Sequence, residues 1–99
     1  MEELIMLWKY LTSHNYNCRW FYVDTIGDII RNQIIIYSAD GTTRLWDAIC
    51  QHGSQGFEQG LIEIYGEIVH PMLDGDSVVG FLTASEIIEK YIPRLNEPR

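Results

Sequence analysis

QIIIYSADGTTRLWDAIC, residues 33–50, is the stretch whose reading decides the fold. From Gln33 to Tyr37 the run is dense in isoleucine and ends in tyrosine, side chains whose branching or width suits a pleated backbone. Ser38-Ala39-Asp40-Gly41 follows as a turn, with glycine at its end, where a positive φ costs least. Arg44 to Cys50 alternates well enough to return antiparallel, so the two runs form a hairpin.

Upstream, Cys18 to Asp24 is rich in aromatic and β-branched residues and reads as a strand, after which Ile26-Gly27-Asp28 reverses the chain. Before it, the polar cluster Ser13, His14, Asn15 and Asn17 is a turn. Leu4, Leu7, Trp8 and Leu11 recur at the spacing of one helix face, with Glu2 and Glu3 at the positive end of the dipole, which predicts a helix over 2–13.

Downstream, Gln51 to Gly60 (QHGSQGFEQG) has no regular period and is a loop. Phe57 to Ile68 is ambiguous. Phe57, Leu61, Ile64, Tyr65 and Ile68 fit a helical face, whereas Gly60, Gly66 and the β-rich LIEIY favour a strand, the reading adopted here. His70 to Asp76 is a loop, and Ser77 to Leu82 a short strand interrupted by Gly80. Thr83-Ala84-Ser85-Glu86 is a capping box, flanked by Leu82 and Ile87 as a hydrophobic staple; a helix begins at Ala84 and Pro93 ends it near Ile92.

The expected fold is α+β: a small, mainly antiparallel sheet of four to five strands, with an N-terminal and a C-terminal helix packed on one face. The 99 residues make one domain, ordered over about 2–93, with 94–99 as a tail. A hydrophobic content of 46%, 12% of the chain being aromatic, excludes disorder despite the net charge of −7. No apolar run reaches the length of a bilayer span, and the acidic MEELIMLWKY is unlike a signal peptide, so the expected location is the cytoplasm. Cys18 and Cys50 are then free thiols.

Charge is the second strong signal. Between Arg44 and Lys90 there is no lysine or arginine, yet eight carboxylates occur there: Asp47, Glu58, Glu63, Glu67, Asp74, Asp76, Glu86 and Glu89. Such a surface repels nucleic acid and membranes and attracts basic grooves, so the expected partner is a basic protein, with no direct nucleic-acid binding. Glu86 belongs to the capping box and Glu89 to the terminal helix. The candidate partner-binding set is therefore Asp47, Glu58, Glu63, Glu67, Asp74 and Asp76.

Other constellations carry less. The loop residues His52, Gly53, Ser54, Gly56 and Glu58 form a candidate ligand loop, but match neither the Walker pattern nor the dinucleotide fingerprint. His14, Cys18, Cys50 and His52 offer two local ligand pairs that make a zinc site only if the end of the first helix meets the end of the hairpin. No nucleophile stands with a base and an orienting group, so the chain reads as a non-enzyme without a cofactor. Along the first strand Cys18, Trp20 and Tyr22 point one way and Arg19, Phe21 and Val23 the other. The second aromatic face calls for a cover, a homodimer or a partner protein.

Trp46-Asp47-Ala48-Ile49-Cys50, Gly53-Ser54, Gly56-Phe57-Glu58, Gly60-Leu61-Ile62-Glu63-Ile64 and Gly80-Phe81-Leu82-Thr83-Ala84 resemble a pattern in small proteins of phages and mobile elements of Firmicutes. The resemblance covers roughly residues 32–92. It departs at Gln55, where the pattern often has tyrosine. Short acidic proteins of this kind include anti-CRISPR inhibitors, so the resemblance implies a phage-type inhibitor that binds a nucleic-acid-binding defence protein such as a Cas effector; no catalytic residues carry over. The alternative expectation is a small-molecule binder that closes loop 51–60 over a nucleotide or signalling ligand.

Overall fold

The computed structural model describes residues 2–24, 30–69 and 78–96. It is α+β, with helix α1 (Glu2–Ser13), strands β1 (Asn17–Asp24), β2 (Ile30–Tyr37), β3 (Arg44–Ile49), β4 (Ile62–Gly66) and β5 (Val79–Leu82), and a C-terminal helical segment. The strands form one antiparallel meander in the order β1-β2-β3-β4-β5.

Helix α1 buries Leu4, Leu7 and Leu11 completely, the stripe its periodicity predicts. It ends because Asn15 takes a φ of 63°, and the amides of Asn15 and Tyr16 donate back to the Thr12 and Leu11 carbonyls at 3.2 and 3.0 Å. This pair of bonds satisfies two of the carbonyls left open at a helix end.

The decisive hairpin forms as expected. The Ser38 amide donates to the Thr43 carbonyl at 2.8 Å, and Gly41, at φ 77°, donates to Ser38. Asp40 holds the turn by accepting from the Ser38 hydroxyl (2.6 Å), the Thr42 amide (3.0 Å) and the Thr42 hydroxyl (2.8 Å). These bonds, the Ser38 hydroxyl first, hold its carboxyl down at about 2.

Cross-strand register assigns side chains to faces. Trp20, Ile34, Ala48, Ile64 and Val79 lie opposite one another in sequence across the five strands and so share one face. Arg19, Ile35, Asp47 and Tyr65 share the other, as do Phe21, Gln33, Ile49 and Glu63. The first face belongs to one core cluster with the α1 leucines, Ile68, Val69, Ala84, Ile87 and Ile92.

Asn32 is the buried polar side chain of this core and accepts from the Trp20 indole N–H. Its amide donates to the Gln51 side chain at 3.1 Å, and its carbonyl accepts from Cys50 at 3.0 Å. The start of loop 51–60 is thereby pinned to β2.

Several boundaries differ from the sequence reading. Strand β2 begins at Ile30, before the apolar run at Gln33, because it pairs with β1 through to Asp24. Not all of 57–68 is strand: Phe57–Gln59 is a 3-10 turn between the left-handed Gly56 and Gly60, and extended pairing is confined to β4. The capping box is present. The Thr83 hydroxyl accepts from the Glu86 amide and the Glu86 carboxylate accepts from the Thr83 amide, both at 3.1 Å.

The helical segment it starts runs Ala84–Glu86 as α, Ile87–Tyr91 as π and Ile92–Asn96 as 3-10. Pro93 has no N–H to continue the ladder, so the helix changes pitch around it instead of stopping, and Arg94 to Asn96 are helical and not tail. The turn at Ile26-Gly27-Asp28 and the loop His70 to Asp76 lie outside the described residues. No described helix is long and apolar enough to cross a membrane.

Candidate functional site

The face of the sheet away from the core carries the best-built constellation. Asp47 stands near its centre on β3, between Ile35 of β2 and Tyr65 of β4. Its side chain is 14% exposed, accepts from the Gln33 amide group at 2.6 Å, and has the Arg44 guanidinium at 3.4 Å. Burial raises its carboxyl above the usual aspartate range, against the lowering by Gln33 and Arg44. Tyr65 beside it is 46% exposed. Arg44, Leu45, Trp46, Asp47, Tyr65 and Gly66 line an open hollow of about 440 Å³.

One rung along the strands lies Glu63, opposite Ile49 and in a row with Gln33 and Phe21. Its carboxylate accepts from the Gln55 amide at 3.0 Å, which ties the loop 51–60 to this face. Asp47 and Glu63 are therefore both on the outer face, one on the β3 rung with Tyr65 and one on the next β4 rung.

Of the other expected partner-binding carboxylates, Glu58 is exposed in the 3-10 turn, and the Glu67 amide donates to the Leu45 carbonyl at 2.9 Å just after β4. Asp74 and Asp76 lie outside the described residues. The structure thus puts Asp47 and Glu63 on one sheet face, and leaves Glu58 exposed in the 3-10 turn.

The loop is a structured connection. Ser54 donates its hydroxyl to the Gln51 carbonyl at 2.7 Å and accepts from the Gln51 amide at 3.0 Å, so its side chain is spent on the turn. Gly56 has a φ of 96°, and a Cβ there would stand 2.9 Å from the Leu61 Cβ and 3.0 Å from the Phe81 Cα. A Cβ at Gly80 would come within 2.2 Å of the Gln55 Cβ. Backbone approach at these two glycines lets the Phe81 amide donate to the Gln55 carbonyl at 3.2 Å.

His52 packs its ring on Phe57 with centroids 4.7 Å apart. Residues His52 to Gln59 with Phe81 line an open hollow of about 610 Å³. Gly53 and Glu58 are exposed at its rim, while Gly56 is buried beneath.

The four candidate zinc ligands are not brought together. Cys18 lies opposite Ile36, whereas Cys50 hydrogen-bonds at Asn32, four residues along the same strand and so about 13 Å away. His14 stacks on Tyr10 with its Nδ1 2.8 Å from the Tyr10 carbonyl, and among the described residues no group of three potential ligands converges. Both thiols are free; Cys50 is buried, and burial pushes the Cys18 thiol up.

Sequence reasoning missed Tyr65 and Gln33 as members of the site. The signal was present: in LIEIY, strand alternation places Glu63 and Tyr65 together, opposite Ile62 and Ile64. Comparison with protein-family models, with curated proteins and with solved structures finds no match to this chain.

Proposed function

We propose that this protein is an acidic interaction protein of the phage counter-defence kind. It binds and inhibits a nucleic-acid-binding defence protein, such as a CRISPR-Cas effector, by occupying arginines and lysines that otherwise hold phosphates. The observation that carries the reading is the outer sheet face: Asp47 and Glu63 share it with exposed Tyr65 and Phe21, in a protein of net charge −7. Both helical segments cover the opposite, Ile34–Ile64 face. The outer face then offers carboxylates for charge-assisted bonds and aromatic rings as anchors. The protein works in the cytoplasm of the host cell.

The test is displacement of a duplex target from a guide-loaded effector, followed by fluorescence anisotropy at several salt concentrations. Inhibition that weakens as salt rises, and that is lost when Asp47, Glu58 and Glu63 are reversed to lysine, supports the reading. Unchanged binding and salt slope in that triple variant would sink it.

A second reading has one observation in its favour, the hollow over loop 51–60, which is large enough for a nucleotide-sized molecule. There His52, Phe57 and Glu58 would offer side chains to the ligand, while the Ser54 hydroxyl is held by Gln51. Native mass spectrometry of the purified protein, with and without added nucleotides, checks it by the presence of a bound mass.

A further inference from the structure

The two edges of the sheet are finished differently. Strand β5 is four residues long, its pairing with β4 shifts register between Ile62 and Ile64, and loop 51–60 takes up its Phe81 amide. Strand β1 is eight residues long, pairs with β2 without a shift from Asn17 to Asp24, and contains no proline. Among the described residues no strand pairs with its outer side. Such an edge leaves a row of backbone N–H and C=O groups open to another strand, the hazard that proteins remove with bulges, proline or charge. Here it carries Phe21 and Tyr22, which are 43% and 52% exposed.

We propose that β1 pairs antiparallel with β1 of a second copy, joining the two five-stranded sheets into one. Two observations favour a copy of this chain over another strand. The first is charge. Residues 1–44 hold four basic and five acidic side chains, whereas residues 45–99 hold three basic and nine acidic. Pairing through β1 brings near-neutral edges together and sets the acidic strands at the two far ends, where their mutual repulsion is screened.

The second observation is self-complementarity. A continuous sheet keeps both buried faces on the same side only if even positions lie opposite even ones. With the twofold axis at Trp20, Arg19 lies opposite the second copy's Phe21, on the outer face. Symmetry repeats this guanidinium-on-ring contact, so the copy makes it twice. A strand of unrelated sequence has no such guarantee.

Sedimentation velocity across a concentration series, at low and high salt, tests the pairing. The wild type shifts from monomer to dimer as concentration rises, and more so in high salt, because screening relieves the repulsion between two acidic copies. Phe21→Lys sets cations opposite Arg19 twice and weakens the dimer by at least roughly tenfold, while Tyr65→Lys, on the outer face away from β1, leaves it unchanged. Amide hydrogen exchange of the wild type shows protection over residues 17–24 that grows with concentration, and this readout decides the matter should Phe21→Lys fail to fold. A monomer at every concentration overturns the proposal. So does exchange over 17–24 that ignores concentration, or a dimer abolished by Tyr65→Lys and kept by Phe21→Lys.

Discussion

The two faces of this sheet are drawn from alternate residues of the same strands and meet opposite fates. On one, Ile34, Ala48, Ile62 and Ile64 are wholly buried in a cluster with Leu4, Leu7, Leu11 and Ile87. On the other, Ile35 is nearly buried, yet its neighbours are a partly buried carboxylate, a glutamate bonded to the loop and two exposed aromatics. The difference teaches that period-two alternation is not a simple apolar and polar division. The outer face mixes both kinds of side chain, which is what a surface that must be soluble alone and sticky in a complex requires.

Ile64→Ala breaks the comparison hardest. It empties a fully buried site and costs about 2–5 kcal/mol in urea unfolding. Tyr65→Ala, one residue along and on the other face, stays within about 1 kcal/mol of wild type; equal losses at the two positions would show the outer face to be a second core. Ile35→Ala falls between them, since its side chain is buried without joining the main cluster.

Asp47→Asn sharpens the contrast by a smaller amount. Burial raises the folded carboxyl above its unfolded value, so the ionised group weakens the fold at neutral pH, and that penalty is relieved as pH falls through the raised value. The asparagine variant therefore melts at or above the wild-type temperature at pH 7, and its advantage vanishes in acid.

Asp40→Asn, on the turn outside both faces, gives the smallest effect and the opposite sign. The folded carboxyl sits at about 2 against an ordinary 3.8, so its contribution is present above 3.8 and lost as pH falls toward 2. Melting temperatures between pH 5 and 2 show a shallower acid slope in the variant.

Much of this architecture was legible because local chemistry and tertiary structure agree. The 33–50 hairpin, the leucine stripe of α1 and the Thr83 capping box are each set by residues within a few positions of one another, and each formed where expected. What was illegible depends on distant pairing or on backbone angles that residue type alone does not fix. Ile30 to Asn32 are strand because β1 lies beside them, and Phe57 to Gln59 are a 3-10 turn because glycines at both ends take left-handed angles.

The site shows the same division. That Asp47 and Glu63 are acidic was plain, and alternation sets Glu63 beside Tyr65, but that Asp47 shares their face follows only from the β3–β4 register. The zinc set failed for the same reason: its two local pairs ended four residues apart along β2.

One contact has a consequence for how the two ends of the described chain are held together. The Glu3 carboxylate of α1 accepts the Ala84 amide at 2.7 Å, across 81 positions of chain. That amide is the first of the terminal helix and would otherwise lack a partner, and the acceptor's charge suits the positive end of the dipole. The meander is built from pairings between neighbouring strands, whereas this clasp joins residues 81 positions apart. The α1 leucines share their cluster with Ile34 and Ile36 of β2 as well as with Ala84 and Ile87, so the start of α1 meets both the sheet and the terminal helix. The clasp is thus a latch between the two helical ends of the described chain.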